Sequence, residues 1–285
     1  MQDDEFRLFM EIPKPILFTV KILEKTFPSL ALRFAARLFT TPIKHKIPKR
    51  ELEMDTKSNQ FLMVVPAINT EIVVYQYGNS PKKILLVHGW SGRGTQLVKI
   101  ADELLKLGYA TISFDAPAHG KSKGKTTLMP EFIASILELE KQLGPFEFAI
   151  GHSLGGMSIL NAITQGFKTK KSVTIGSGDI IQDIIDDFVR QLKLHPKYGI
   201  QLRDYFETKF HQEMDSYSAS RAAKSVTIPV LVIHDAQDAD VNVKAAHHIH
   251  ENLQHSELMI TEGFGHRKIL GNEAVIQKIL TFIKT

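Results

Sequence analysis

Residues 146–164 read FEFAIGHSLGGMSILNAIT. Phe146–Ile150 is a short apolar run of strand type, and Leu154–Thr164 has helical period. Between them lies Gly151-His152-Ser153-Leu154-Gly155, followed by Gly156. A bare G-x-S-x-G is common by chance. Here it follows a strand and opens a helix, so small residues on both sides of the serine let the chain turn sharply. The hydroxyl then stands above the sheet at a helix N-terminus.

Strands and helices alternate outward from this turn. Phe61–Val65 and Ile72–Tyr77 read as a β-hairpin, and Ile84–Val87 and Ala110–Phe114 as buried strands. Gln96–Lys106 and Pro130–Leu143 have helical period and end at Gly108 and Gly144. Val173–Ile175, Pro229–Ile233 and Glu257–Ile260 are further strands, and Glu273–Ile283 is a final helix. Short apolar strands separated by helices predict an α/β fold, a mostly parallel sheet covered on both faces with the hairpin at one edge. Between Gly178 and Ile228 the alternation stops. Ile180–Leu194 and Tyr198–Phe210 read as helices of a cap inserted over the strand ends, at about 179–227. We therefore expect an arm and linker over 1–58 and one domain over 59–285.

The 285 residues are 43% hydrophobic and 23% charged, which suits a substantial core, and the absence of Cys excludes disulfides, thiolate catalysis and Cys-based metal sites. The net charge of +4 is uneven: −3 over residues 1–11, +8 over residues 12–50 and −1 over the remainder. No apolar run approaches the ~18 residues of a membrane span. An acidic start and Pro13 and Pro15 argue against a secretory signal. Residues 15–40 read as two helices broken at Pro28-Ser29, with Ser29 a plausible cap, and Pro42 and Pro48 bracket a basic linker. The arm suits either docking on the domain or contact with an anionic membrane. A chain starting near residue 51 is expected to keep its activity.

A serine on such a turn needs a base, and the base an orienting carboxylate. His266, in Gly263-Phe264-Gly265-His266, follows a strand, and flexible glycines let its imidazole project. Asp235, Asp238 and Asp240 follow the preceding strand. His247, His248 and His250 fall on a helix and read as solvated.

The chain resembles the α/β-hydrolase fold superfamily of serine hydrolases (esterase, lipase and thioesterase types) from about residue 60 onward. His88-Gly89-Trp90 follows the third strand. Asp115-Ala116-Pro117-Ala118-His119-Gly120-Lys121-Ser122 is similar to the family's D-x-P-G-H-G-x-S turn, with Ala118 in place of glycine. Against the family's H-G-x-x-D-x-x-V, His234 and Val241 align, which puts Asp238 on the acid and Asp235 on the glycine. Asp240 is the reserve, and Asp235 is expected to cap the turn. The resemblance implies a catalytic set of Ser153, Asp238 and His266. It also implies an oxyanion hole from the backbone N–H groups of Trp90 and Leu154, and a structural role for His88.

Two glycine-rich stretches are rejected on spacing. Gly89-Trp90-Ser91-Gly92-Arg93-Gly94 is not G-x-G-x-x-G, and Gly120–Thr126 is one residue short of a phosphate loop. No histidine–carboxylate grouping has metal-ligand spacing. The expected activity is hydrolysis of a small-molecule carboxylic ester or thioester, with no cofactor, no metal and no nucleic-acid partner. The alternatives are a serine-dependent C–C hydrolase and an inactive, membrane-associated binding protein on the same fold. The expected location is cytoplasmic, with peripheral membrane contact through the arm left open.

Overall fold

A computed structural model describes residues 12–284; the acidic segment 1–11, on which the signal-peptide reading rests, lies outside the described residues. Eight strands form one sheet: β1 (Asn59–Val65), β2 (Thr70–Tyr77), β3 (Lys83–Val87), β4 (Ala110–Asp115), β5 (Phe148–His152), β6 (Lys171–Ile175), β7 (Val230–Asp235) and β8 (Ser256–Thr261). Their order is β1-β2-β4-β3-β5-β6-β7-β8. The β1–β2 hairpin and the β2–β4 pair are antiparallel, and all other pairs are parallel. The helices are α1 (Lys14–Thr26), α2 (Pro28–Phe39), α3 (Leu52–Lys57), α4 (Val98–Lys106), α5 (Met129–Leu143) and α6 (Leu154–Thr164). They continue with α7 (Ile181–Gln191), α8 (Lys197–Phe210), α9 (Ala219–Ala223), α10 (Lys244–Asn252), α11 (Gly265–Lys268) and α12 (Glu273–Lys284).

The central strands are buried along nearly their whole length because both faces are covered. Ile84, Leu86, Phe148, Ile150, Val173, Ile175, Leu231 and Ile233 join one core with Leu97, Ile100 and Leu104 and with Val275, Ile279 and Ile283 of α12. The intervening Leu85, Ala149, Thr174 and Val232 are equally buried and point to the other face, since strand side chains alternate. There α6 packs along β5 and β6 and against α5.

The chain divides into two compact units. One holds the segment ending at Thr40 together with Ile181–Asp215, and the other holds Thr41–Ile180 with Ser216–Thr285. The arm and the first part of the insertion, distant in sequence, thus build one helical body from α1, α2, α7 and α8. Val20, Ala31, Ala35 and Ala36 are buried in it. Phe39 meets Phe188 edge-on at 5.1 Å and lies 5.5 Å from Phe206. The His195 N–H donates to Glu24 Oε1 at 2.7 Å. Ser29 is not the cap of α2: Phe27 is, and Pro28 takes the first helical position, where its missing N–H costs nothing. No helix among the described residues is long and apolar enough to cross a membrane.

In the larger unit, Phe132 of α5 is fully buried. Its ring lies 5.2 Å from His88, 5.3 Å from His119 and 6.4 Å from Phe114. Phe132→Ala should cost about 3–5 kcal/mol in chemical denaturation, because it removes both buried surface and packing. A loss below about 1 kcal/mol would show that the site can collapse around the gap.

Candidate active site

β3 and β5 are neighbours in the sheet, yet one connects onward to β4 and the other to β6 on opposite sides. In open α/β sheets, the carboxyl ends of the strands at such a reversal are where ligands bind. Ser153 lies there, at φ 52° and ψ −122°. That backbone conformation costs a non-glycine residue about 1–3 kcal/mol. Its N–H donates to the Ile175 carbonyl of β6 at 2.9 Å. Close approach explains the neighbouring glycines. A Cβ on Gly155 would lie 2.3 Å from the Val87 carbonyl oxygen, and one on Gly89 would lie 2.9 Å from Ser153 Cβ. Segment 88–90 therefore runs directly against the serine.

His266 enters from α11, beyond β8. Its Nδ1–H donates to Asp238 Oδ2 at 2.7 Å, which leaves Nε2 with its lone pair. Asp238 Oδ1 accepts the N–H groups of Asp240 at 2.8 Å and Val241 at 2.9 Å. Burial alone would raise the Asp238 carboxyl. Donation from His234 and His266, the His266 charge and the Val241 N–H outweigh it, and hold this carboxylate well below its usual range. His234 also donates to the Val241 carbonyl at 2.9 Å. Asp240 gives Asp238 its N–H, whereas its own carboxyl is raised by burial and makes no hydrogen bond to His266.

Asp235 caps the turn and does more. It accepts the Gln237 N–H at 3.0 Å, the Thr261 hydroxyl at 2.8 Å and the Phe264 N–H at 3.0 Å. Burial opposes ionisation, but these donors prevail and keep the carboxyl below its ordinary value. One carboxylate thus ties the Asp238 turn to the loop that carries His266. His152 is a second tie: its Nε2–H donates to the His266 carbonyl at 2.8 Å, with ring centroids 4.6 Å apart. Burial, then the His266 charge, pushes His152 down to about 3, so it is neutral near pH 7.

The 88–95 loop is stapled by polar side chains. His88 Nε2 accepts the Ala116 N–H at 3.0 Å while Nδ1–H donates to the Gly89 carbonyl at 2.7 Å. His119 Nε2 accepts the Ser91 N–H at 3.0 Å, and its Nδ1–H donates to the Pro117 carbonyl at 3.0 Å. Asp115 accepts the N–H groups of Gly94 and Lys121, each at 2.7 Å, and the Tyr75 hydroxyl at 2.8 Å.

The supposed linker is part of this assembly. The Ile43 N–H donates to Ser91 Oγ at 3.0 Å, Arg93 donates to the Lys46 carbonyl at 2.9 Å, and the Thr95 hydroxyl donates to buried Glu51 at 2.8 Å. A chain starting near residue 51 lacks the first two contacts, so the expectation that it works unchanged is withdrawn.

Gly89 N–H goes to Gln96 Oε1 at 2.9 Å and Gly92 N–H to the Gly89 carbonyl at 3.0 Å, but the N–H groups of Trp90 and Leu154 have no hydrogen-bond partner among the described residues. Nor does the Ser153 hydroxyl bond to His266 among them. The structure therefore joins Asp238 to His266, and His152, the residue before Ser153, to the backbone and ring of His266.

A family model, described as the alpha/beta hydrolase family, matches residues 84–256. The chain belongs to the alpha/beta hydrolase family. A search of curated protein sequences finds no match. Solved structures of the same fold include an esterase from Pyrococcus furiosus (18% identity, TM-score 0.65, covering 86% of this chain and 97% of that one). Another is an esterase from Exiguobacterium antarcticum (20% identity, TM-score 0.60, 78% and 98%). A third is a bromoperoxidase from Bacillus anthracis (16% identity, TM-score 0.61, 79% and 99%). Identities this low speak for the fold alone.

This hydrolase departs from the family's D-x-P-G-H-G-x-S turn at Ala118, which is held at φ 64°. A left-handed alanine costs about 1–2 kcal/mol relative to the right-handed region. Two of the three histidines read as solvated have partners. His248 pairs with buried Asp179 while staying exposed, and His250 bonds to Ser256 Oγ at 2.7 Å at the start of β8. Among the described residues no cluster of three or more His, Asp or Glu could hold a metal ion. Sequence reasoning missed His152 and the 43–51 segment. The first sits inside the serine motif; the second carries no local signal.

His119 yields a pH prediction. Burial, partly offset by the Pro117 carbonyl and reinforced by Lys44, pushes it from 6.5 down to about 4. Between those values the unfolded chain binds the extra proton and the folded chain does not, so stability must fall as pH drops from about 6.5 toward 4. The loss is on the order of a few kcal/mol. His119→Gln keeps an acceptor for Ser91 and should flatten the melting temperature across this range. An unchanged slope would assign it to other groups.

Proposed function

We propose that this hydrolase is a serine esterase that cleaves a small-molecule carboxylic ester or thioester through an acyl-enzyme. The observation that carries the reading is the Nδ1–H···Oδ2 bond from His266 to Asp238 at 2.7 Å, made beside a serine on a strained strand-to-helix turn. That bond fixes the imidazole tautomer and leaves Nε2 as the base for the Ser153 hydroxyl. The Ser153–His266 hydrogen bond forms when substrate is bound, as is common where the unliganded geometry is loose. Ser153 Oγ attacks the acyl carbon and its proton passes to His266. The uncommitted N–H groups of Trp90 and Leu154 receive the developing oxyanion. His266 then protonates the leaving group and next activates water, which releases the acid and restores the serine. No cofactor enters this sequence.

Ser153→Ala should lower kcat for p-nitrophenyl esters by about a millionfold, the scale of removing a catalytic-set serine, and leave the melting temperature near that of the parent. Asp238→Asn should lower kcat by about 10⁴-fold, because an amide stabilises the wrong tautomer. Asp240→Asn should cost far less. Parent-like turnover in Ser153→Ala, or an inactive Asp240→Asn beside an active Asp238→Asn, would overturn the assignment.

A further inference from the structure

The helical unit exposes an unusual face. Phe18 is 69% exposed, Phe27 60%, Leu30 48% and Ile22 46%. At 100° per residue, Lys14, Phe18, Lys21, Ile22 and Lys25 share the side of α1 away from buried Val20. Leu30, Arg33 and Arg37 lie on the side of α2 away from buried Ala31 and Ala35. A surface helix ordinarily turns one apolar stripe inward and its charges outward. Here the inward stripe is present, and the outward face still mixes rings and aliphatic chains with cations.

The charge on this face is lopsided. Residues 12–40 carry five Lys and Arg against Glu24 alone. Lys21 pairs with Glu24 at 2.8 Å, while Lys14, Lys25 and Arg33 have no ion-pair partner among the described residues. Bare cations around exposed Phe and Ile match a bilayer interface, where apolar side chains enter the acyl boundary and the cations stay among anionic headgroups. Aliphatic Ile22 and Leu30 offer nothing to a nucleic acid. We propose that the outward face of α1 and α2 is a docking surface for an anionic lipid bilayer. The proposal stands apart from the chemistry at Ser153.

Co-sedimentation of the full-length protein with vesicles tests it. The protein should pellet with phosphatidylcholine–phosphatidylserine vesicles at low salt, leave them as salt rises, and bind phosphatidylcholine alone weakly. Phe18→Ser with Phe27→Ser, and separately Lys14→Glu with Lys25→Glu and Arg33→Glu, should each lower the partition coefficient at least about tenfold. Both sets alter exposed side chains, and circular dichroism and melting temperature should match the parent. Salt-insensitive binding equal on both vesicles, or undiminished binding by either folded variant, overturns the proposal. So does a lipid-free dimer in sedimentation velocity that Phe18→Ser with Phe27→Ser abolishes, which would assign the face to a second copy.

Discussion

The candidate site depends on one steric constraint: the first turn of α6 must press against the end of β3. The close approach of Gly155 to the Val87 carbonyl allows it. Ser153 is then forced into its left-handed conformation, since the chain has to leave β5 and enter a helix within a single residue. The strain is local, and it persists because the surroundings over-determine it. β5 is paired on both sides, α6 is packed on the sheet, and the Ser153 N–H is held by β6. A side chain at Gly155 would push α6 away and let the serine relax.

A second constraint is electrical. Buried around the serine are His88, His119, His152, His234, Asp115 and Asp235. Each keeps a hydrogen bond to backbone, and several hold two loops at once. Unpaired, such groups would cost heavily in a low-dielectric interior; paired, they fix the loops that carry Trp90, Asp238 and His266. His88 and His119 each present one nitrogen as acceptor to a backbone N–H, so protonating either would break a staple. Burial keeps both neutral by pushing their pKa values down.

Much of this was legible in the sequence, for physical reasons. Strands buried on both faces must be short and apolar, and the helices between them must show their period, so Ile84–Val87 and Leu154–Thr164 stand out. The serine turn is legible because its close contacts restrict residue type. Asp238 was singled out from Asp235 and Asp240 only through the resemblance to the family's acid turn, which aligns His234 and Val241; in the structure His234 lies 3.4 Å from its carboxylate and the Val241 N–H donates to it. What was not legible depends on long-range contact. Nothing local in residues 43–51 announces that Ile43 will hold Ser91 or that Glu51 will be buried under Thr95. Nothing in α2 announces that α8, about 170 residues away in sequence, will pack against it. His248 and Asp179 likewise meet only after the chain has folded.

The central claim is that Ser153 is the nucleophile and that His266 and Asp238 activate it. Peptide mapping by mass spectrometry after exposure to a fluorophosphonate tests this most directly, because the reagent reports which oxygen has been made nucleophilic. The account predicts one phosphonyl adduct, on the peptide containing Ser153, that slows sharply when His266 is replaced. A protein that takes up no label, or one labelled at Ser91 or Ser177 instead, would contradict it.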